Sequence, residues 1–176
     1  MGVSGSGKST LGPLLAKTLQ CRFLEGDAFH SPENVAKMRA GQPLQDADRW
    51  PWLERIGEEL NQAVAQDMIG VAACSALKRC YRERLEQVIT APLAFVFLSA
   101  DQDELTQRMN NRPGHYMPAS LLASQFQALE KPGPDEPALA LDARQPPQDL
   151  CRAACTWLAQ AAPLAELVAN ARRKET

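Results

Sequence analysis

The sequence predicts an α/β fold, a three-layer α/β/α arrangement in which helices cover both faces of a parallel sheet. Segments of strand and helix character alternate along the chain, and this order is typical of parallel strands joined by crossover helices. Two strand segments, MIGVAACSA and LAFVFLSA, are apolar throughout, as strands buried on both faces are. With 176 residues and 45% hydrophobic content, the chain is expected to form a single domain over residues 1–176.

Each element has a local reason in the sequence. The first helix carries leucines at helical spacing, and the second begins at Ser31, whose hydroxyl can cap the free amides ahead of Pro32. Pro51 lies early in the third helical pattern, so either its first turns are irregular or the regular helix starts there. The predicted helices span residues 8–19, 31–41, 46–66, 101–110, 119–129 and 150–161, a charged stretch spans 78–88, and the predicted strands span 21–27, 68–76, 93–100 and 138–142. An apolar and then basic tail, residues 163–176, is expected to form one more helix, on the surface or against a partner.

The charge balance argues against some classes of partner. Nineteen basic and 21 acidic residues, spread along the chain, give a net charge of −2 and no electrostatic basis for binding nucleic acid or a membrane. The chain has no long apolar run and no signal-peptide pattern at its start, so a cytoplasmic protein is expected. Its five cysteines are odd in number and never spaced C-x-x-C, so we expect reduced core thiols rather than a zinc site.

The most specific motif lies at the start of the chain. GVSGSGKS fits the pattern G-x-x-x-x-G-K-[ST] of a loop whose backbone amides surround the phosphates of a nucleoside triphosphate; a simple turn rich in Gly and Ser is the alternative. In this pattern Lys8 reaches the β- and γ-phosphates and Ser9 ligates Mg²⁺. Thr10 either touches a phosphate or is only a residue of the first helical turn. The residues predicted to bind ATP are Gly2, Ser4, Gly5, Ser6, Gly7, Lys8, Ser9 and Thr10.

A second group of polar residues is expected at the same edge of the sheet. Asp27 follows a short buried strand, where an α/β sheet places its ligands, and a carboxylate there can take a hydroxyl proton and hold Mg²⁺ through water. A role as helix cap or turn residue is the alternative. Arg49, Lys78 and Arg82 lie at or near the starts of helices that point to this edge. Together they suit a small anionic substrate, and singly each is a solvated surface charge.

The order and spacing of several motifs resemble those of the gluconate kinase family of small phosphate-loop kinases. The resemblance covers residues 1–132 and includes the loop, GDAFHSPENVAKMRAGQPLQDADRWPWL, CSALKRCYRERL, GHYM and QFQALEKP. It implies a phosphate-loop kinase fold like that of nucleoside monophosphate kinases, with a small lid at about residues 108–128. It also implies that the 6-hydroxyl of D-gluconate attacks the γ-phosphate of ATP, and it suggests a homodimer.

The same resemblance implies roles for further residues. Arg108 and Arg112 match lid arginines: Arg112 would neutralise the transferring phosphoryl group, and Arg108 would lie beside the adenine with the loop 143–146. Surface salt bridges are the alternative for this pair. His30 and His115 are expected to contact the substrate, although a histidine at a loop edge is more often structural. The predicted substrate-binding residues are Asp27, His30, Arg49, Lys78, Arg82 and His115, with Lys37 lining the acceptor pocket.

Two features depart from related kinases. The segment 68–76 contains Cys74 and Ser75 where many phosphate-loop proteins carry a Mg²⁺-binding aspartate, so Ser9 and Asp27 are expected to hold the metal, partly through water. Family members also carry an apolar strand before the loop, whereas this chain has only Met1 there. Either the true start lies upstream, or the chain folds with an altered sheet, because a missing central strand leaves hydrogen-bonding groups of its neighbours unmet.

Rival functions stay open from the sequence. Shikimate kinases are expected to carry D-x-D after the second strand, where this chain has GDAFH. Adenylylsulfate kinases are expected to carry an aromatic clamp for a second adenine, and no such clamp is identifiable here. A non-catalytic nucleotide-binding protein is the alternative of a different class, and it would bind ATP without releasing ADP in response to gluconate.

Overall fold

Along the described residues, helices and strands alternate in the order that the sequence predicts. The end of the predicted helix 101–110 and the predicted tail helix, 163–176, lie outside the described residues. The structure, a computed structural model, describes residues 1–103, 105–106 and 120–161. Its helices are α1 (Lys8–Thr18), α2 (Pro32–Arg39), α3 (Asp46–Asp67), α4 (Arg79–Val88), α5 (Ser120–Ala128) and α6 (Pro147–Leu158), and its strands are β1 (Arg22–Glu25), β2 (Gly70–Ala73), β3 (Phe95–Ser99) and β4 (Ala138–Asp142). A 3-10 turn, Gly26–Phe29, follows β1 directly. Among the described helices, none has the length and apolar character needed to cross a bilayer.

The four strands form two parallel pairs, β1 with β2 and β3 with β4. The chain start lies between the pairs: the N–H of Gly2 donates to the carbonyl of Ser75 at 3.1 Å, and the N–H of Leu98 donates to the carbonyl of Met1 at 3.0 Å. An apolar cavity of about 180 Å³, lined by Met1 and by residues of both β2 and β3, separates the two pairs. The phosphate loop therefore begins where the carboxyl ends of β2 and β3 meet, which is the edge at which α/β sheets bind ligands.

Two hydrophobic clusters cover opposite faces of the strands. On one face α1 and α6 pack together through leucines, and Leu98 of β3 joins them. On the other face α3 and α4 pack together, and Phe95 of the same strand joins them. Because residues of odd separation along a strand point to opposite faces, these clusters confirm the predicted three layers. None of the five cysteines forms a disulfide. Cys74, Cys151 and Cys155 are buried as expected, whereas Cys21 is only partly buried and Cys80 is exposed.

Several local predictions can be compared with the structure. Ser31 caps α2 as predicted, with its hydroxyl accepting from the N–H of Asn34 at 3.2 Å. The expected irregular start of the third helix is wrong, since α3 runs unbroken through Pro51. Its first turn is held by the Asp48 carboxylate, which accepts from the N–H of Gln45 at 3.0 Å, and by the buried side chain of Trp52. The last helix starts at Pro147, earlier than predicted, because proline fits the first helical position.

Candidate active site

The phosphate loop, residues 2–9, has a backbone that only glycine adopts easily. Gly2, Gly5 and Gly7 have φ angles of 139°, 79° and 98°. A Cβ atom on Gly2 would also lie 2.9 Å from the carbonyl oxygen of Leu98, so the loop and β3 approach too closely for a side chain. Gly7 is the N-cap of α1, and the loop therefore leads directly to the positive end of a helix dipole. This arrangement is an anion-binding geometry.

Lys8 is the first residue of α1, and its amine folds back onto the loop. Its Nζ donates to the carbonyl oxygen of Val3 at 2.9 Å. Burial lowers the pKa of Lys8, and among the nearby charges that raise it the carboxylate of Asp27 has the largest effect. The loop and the turn after β1 therefore interact electrostatically. A bound polyphosphate would bring the negative charge that favours the protonated amine.

The hydroxyl groups of the loop differ in their surroundings. Ser6 is 1% exposed, and its Oγ has no hydrogen-bond partner within the part of the chain that the structure describes. Leaving such a group unsatisfied costs about 1–3 kcal/mol, and a phosphate oxygen is a partner that would satisfy it. Ser9 and Thr10 are exposed on the first turn of α1. The backbone N–H of Ser4 donates to Oε1 of Gln125 at 2.6 Å.

Asp27 lies in the 3-10 turn that carries the chain from β1 to α2. The preceding residue, Gly26, touches β2 so closely that a Cβ atom there would lie 2.2 Å from the carbonyl oxygen of Ala73. On its other side, Nε1 of Trp52 donates to the carbonyl of Gly26 at 2.8 Å. The backbone before Asp27 is thus fixed by both β2 and α3, while the Asp27 side chain is exposed.

His30 ends this turn and stacks on Trp52, with ring centres 4.3 Å apart and planes inclined by 12°. The pKa of His30 is lowered to about 4, mainly by burial. The charge of Arg49 also lowers this pKa, and the charge of Asp27 opposes the shift. The imidazole is therefore neutral at pH 7. Its Nδ1 atom is buried and has no hydrogen-bond partner among the described residues. A hydroxyl group of a substrate could form the hydrogen bond that this nitrogen lacks.

A cluster of charges surrounds the start of α3. Lys78 donates to the Asp46 carboxylate at 2.7 Å, and the hydroxyl of Tyr81 donates to the same carboxylate at 2.5 Å. These two hydrogen bonds lower the pKa of Asp46, and the one from Lys78 has the larger effect. The guanidinium of Arg49 lies 5.6 Å from the ring centre of Tyr81, and the amine of Lys78 lies 5.5 Å from it.

A third cation joins from α2. Lys37 donates to the carboxylate of Asp48 at 2.6 Å, and this hydrogen bond is the main cause that lowers the pKa of Asp48. Asn34 donates to the backbone carbonyl of Asp48 at 2.8 Å, which ties α2 to the first turn of α3. Three cationic side chains, those of Lys37, Arg49 and Lys78, are thereby held at one helix start.

Arg82 differs from the other predicted substrate residues. It is 1% exposed, and both oxygens of Glu136 accept from its guanidinium, with Nη2 to Oε1 at 2.9 Å. Its Nη1 also donates to the carbonyls of Ala76, Leu77 and Glu130. The structure therefore places Arg82 as a clamp between α4 and the segment before β4, with its donors engaged by the protein rather than turned toward a substrate.

Several of the remaining predicted residues lie around the start of α3. His30 stacks on Trp52 of this helix, and Arg49 and Lys78 both lie near the ring of Tyr81. The negative charge of Asp27 raises the pKa values of both Lys8 and His30. Arg108, Arg112 and His115, which were predicted in the lid, lie outside the described residues. Sequence reasoning missed Asp46, Tyr81 and Gln125. All three stand in the quoted motifs, since Asp46 and Tyr81 share theirs with Arg49 and Lys78 and Gln125 begins QFQALEKP, so the motifs held the signal.

The oxygen donors near the loop are of the kind that Mg²⁺ prefers. Ser9 supplies a hydroxyl and Asp27 a carboxylate, and Mg²⁺ in kinase sites binds one or two protein groups together with phosphate oxygens and water. Within residues 1–103, 105–106 and 120–161, no group of three or more His, Cys, Asp or Glu side chains is placed to hold a metal ion. One hydroxyl and one carboxylate are a donor set that fits Mg²⁺ bound mainly by phosphate oxygens and water.

Comparison with known proteins identifies the family. The family model described as shikimate kinase matches residues 4–130. A curated gluconokinase from Gluconobacter oxydans is 48% identical over 147 residues, which cover 84% of this chain and 82% of that protein. A crystal structure of a gluconokinase from Sinorhizobium meliloti has a TM-score of 0.80 at 43% identity, and covers 100% of this chain and 95% of its own. A sugar kinase from Janibacter sp. has a TM-score of 0.84 at 46% identity, with coverage of 93% and 94%.

These matches extend over the loop, the turn with Asp27 and the cation cluster, and they agree with the parallel strands and flanking helices of the structure. The chain belongs to the shikimate kinase family as that model defines it and, within it, to the gluconokinases.

Proposed function

We propose that this chain transfers the γ-phosphoryl group of ATP to the 6-hydroxyl of D-gluconate, giving 6-phospho-D-gluconate and ADP. The observation that carries the proposal is the place of the turn with Asp27, which packs on the end of β2 beside the start of the loop and stacks through His30 on Trp52 of α3, the helix that carries Arg49. The turn joins a phosphate-binding loop to a cationic cluster suited to a carboxylate. Membership of the gluconokinases supports the choice of gluconate as the acceptor.

On the nucleotide side, the loop amides and the start of α1 bind the phosphates of ATP. Lys8 pairs with the β- and γ-phosphates while its amine, which has three donors, keeps the hydrogen bond to the carbonyl of Val3. The unpartnered hydroxyl of Ser6 donates to a phosphate oxygen. Two residues outside the described part complete this side: Arg112 neutralises the transferring phosphoryl group, and Arg108 lies beside the adenine. Charge neutralisation of this kind acts most strongly where water is excluded.

Ser9 and Asp27 would hold Mg²⁺, with the phosphates and water as the other ligands. When bound, the ion would supply positive charge that offsets the negative charge of the phosphates. Asp27 has a second task at the acceptor, since its exposed carboxylate takes the proton of the attacking hydroxyl. The turn that carries it packs on the end of β2, so the acceptor oxygen and the phosphates meet at the same edge of the strands.

On the acceptor side, Arg49 and Lys78 bind the carboxylate of gluconate and Lys37 adds positive charge nearby. The amine of Lys78 leaves the carboxylate of Asp46 and binds the carboxylate of the substrate, so one carboxylate partner replaces another. The neutral imidazole of His30 hydrogen-bonds a sugar hydroxyl, and His115 is a further proposed contact. The substrate then spans from the cation cluster to Asp27.

We also propose that the enzyme works in the cytoplasm as a homodimer. Free thiols at all five cysteines are in keeping with a reducing compartment. The homodimer rests on the family resemblance alone, and the molar mass of the purified protein in solution tests it.

An acceptor panel tests the proposed reaction. ADP release is measured with ATP and Mg²⁺ in the presence of gluconate, shikimate or adenylylsulfate, and thermal stabilisation by each acceptor is measured with a non-hydrolysable ATP analogue. We expect turnover and added stabilisation with gluconate only. Turnover with shikimate and not with gluconate would reverse the assignment, and ATP binding with no turnover on any acceptor would favour a non-catalytic protein.

A further inference from the structure

One peptide unit of the phosphate loop is held from both ends. The N–H of Ser4 donates to Oε1 of Gln125 at 2.6 Å, and the carbonyl oxygen of Val3 accepts from Nζ of Lys8 at 2.9 Å. These two backbone groups belong to the same planar peptide. Gln125 and Lys8 are therefore linked through a single rigid unit, and the orientation of that unit decides whether both hydrogen bonds form.

Gln125 is well placed to fix this orientation. It is 9% exposed on α5, and its neighbour on the helix, Leu122, packs in a buried cluster with Val3 of the loop. The end of α5 is also anchored, because the N–H of Glu130 donates to the carbonyl of Leu77 at 2.9 Å. The helix therefore presents the Gln125 carboxamide from a fixed position, 121 residues along the chain from its partner.

The loop itself does little to fix this peptide. Gly2 and Gly5, which flank the Val3–Ser4 pair, both have positive φ angles and lack the side chains that restrict rotation. A rotated peptide would turn its carbonyl oxygen away from Lys8 and its N–H away from Gln125. A carbonyl oxygen turned toward bound phosphates would repel them.

We infer that Gln125 is a positioning residue for phosphoryl transfer: by accepting the N–H of Ser4, it orients the Val3–Ser4 peptide and keeps Lys8 within the phosphate loop. This role rests on the proposed use of the loop for ATP. The family resemblance places this helix within the expected lid, and the inference assigns its Gln125 a specific contact with the loop.

The test compares Gln125→Met with Gln127→Met. Methionine keeps the length of glutamine but removes the carbonyl acceptor, and Gln127 is the exposed glutamine of the same helix. ATP affinity is measured by calorimetry, and KM and kcat are measured for both substrates. We expect Gln125→Met to weaken ATP binding about five- to tenfold, the effect of one lost hydrogen bond, and to leave the KM for gluconate within twofold. We expect Gln127→Met to match the wild type.

Two results would overturn the inference. The first result is that Gln125→Met and Gln127→Met bind ATP with the same affinity. The other is an equal loss of affinity for both substrates with a lowered Tm, which indicates a packing role only. Calorimetry of ATP needs no turnover, so a wild-type protein inactive on gluconate would contradict the proposed function and leave this comparison intact.

A second measurement needs only the wild-type protein. Amide hydrogen exchange at Ser4, followed by NMR, is expected to be at least tenfold slower than in an unstructured peptide, because this N–H is hydrogen-bonded. Exchange at the unstructured rate would show that the contact with Gln125 is not maintained in solution, and the inference would fail.

Discussion

The indole N–H of Trp52 donates a buried hydrogen bond of 2.8 Å to the carbonyl of Gly26, the residue directly before Asp27. Trp52 belongs to α3, whose first turn carries Arg49 and Asp46, and Gly26 begins the turn that presents Asp27. This hydrogen bond therefore joins the two sides of the proposed acceptor site. Four predictions test the contacts of this site and its supports.

Removing the indole donor is expected to affect both stability and catalysis. Trp52→Phe keeps a ring for His30 to stack on but leaves the buried carbonyl of Gly26 without its partner, at a cost of about 1–3 kcal/mol in the free energy of unfolding. Because the turn is loosened, we expect kcat to fall while the KM for ATP stays constant. Urea unfolding and steady-state kinetics measure the two effects. Trp157→Phe, a half-buried tryptophan of α6 away from the site, is the control, and equal effects in both variants would contradict this account.

His30 is expected to make stability fall on acidification. Burial lowers its pKa from the usual 6.5 to about 4, so between these values the unfolded chain binds a proton that the folded protein does not. Stability therefore rises with pH across this window and is lost as the pH falls through it. Between pH 7 and pH 4.5, the free energy of unfolding of the wild type should fall by on the order of 2 kcal/mol more than that of His30→Gln. Parallel pH profiles of the two proteins in urea unfolding would refute the assignment.

The clamp formed by Arg82 and Glu136 is expected to serve stability. Both side chains are nearly inaccessible, at 1% and 8% exposure, and removing one charge leaves the other buried without a partner. Glu136→Gln should lower the free energy of unfolding by about 3 kcal/mol, whereas Glu83→Gln, at an exposed ion pair of α4, should change it by less than about 1 kcal/mol. A large rise in the KM for gluconate in Arg82→Lys, with the Tm unchanged, would restore the substrate role predicted from the sequence.

Lys78 is expected to act on gluconate and not on ATP. Lys78→Met removes a charge that the structure holds beside Arg49 and Tyr81, and the loss of a charged hydrogen bond to a carboxylate should raise the KM for gluconate about ten- to a hundredfold. The KM for ATP should stay within twofold. Lys17→Met, an exposed lysine of α1, is the matched control. An equal rise in both KM values would show that Lys78 supports the site as a whole rather than the acceptor.

The elements of this protein could be predicted well because their signals are local. The loop motif, the cap at Ser31 and the apolar segments around β2 and β3 are all short patterns, and the structure follows them. The prediction for α3 was wrong at Pro51, because local rules expect a proline to break a helix. In the structure the helix continues through Pro51, and the next residue, Trp52, is buried against the core.

Contacts between distant segments could not be predicted in this way. Arg82 has the sequence context of a substrate residue, and only the fold shows that Glu136, 54 residues further on, engages it. The hydrogen bond from Ser4 to Gln125 likewise joins residues that no periodicity relates. The roles of Asp46 and Tyr81 also depend on the fold, because Asp46 of α3 meets Lys78 and Tyr81 only where α4 packs against it.

The most direct test of the central claim is ³¹P NMR of the reaction mixture, with ATP, Mg²⁺ and gluconate, for the wild type, Lys8→Ala and Asp27→Asn. We expect the wild type to form ADP and one new phosphomonoester at the 6-position of gluconate, and each variant to form it at least a hundredfold more slowly. Asp149→Asn, an exposed carboxylate on α6, should match the wild type. Formation of 6-phosphogluconate by Asp27→Asn at the wild-type rate would contradict the role given to Asp27, and no phosphomonoester from the wild type would contradict the account as a whole.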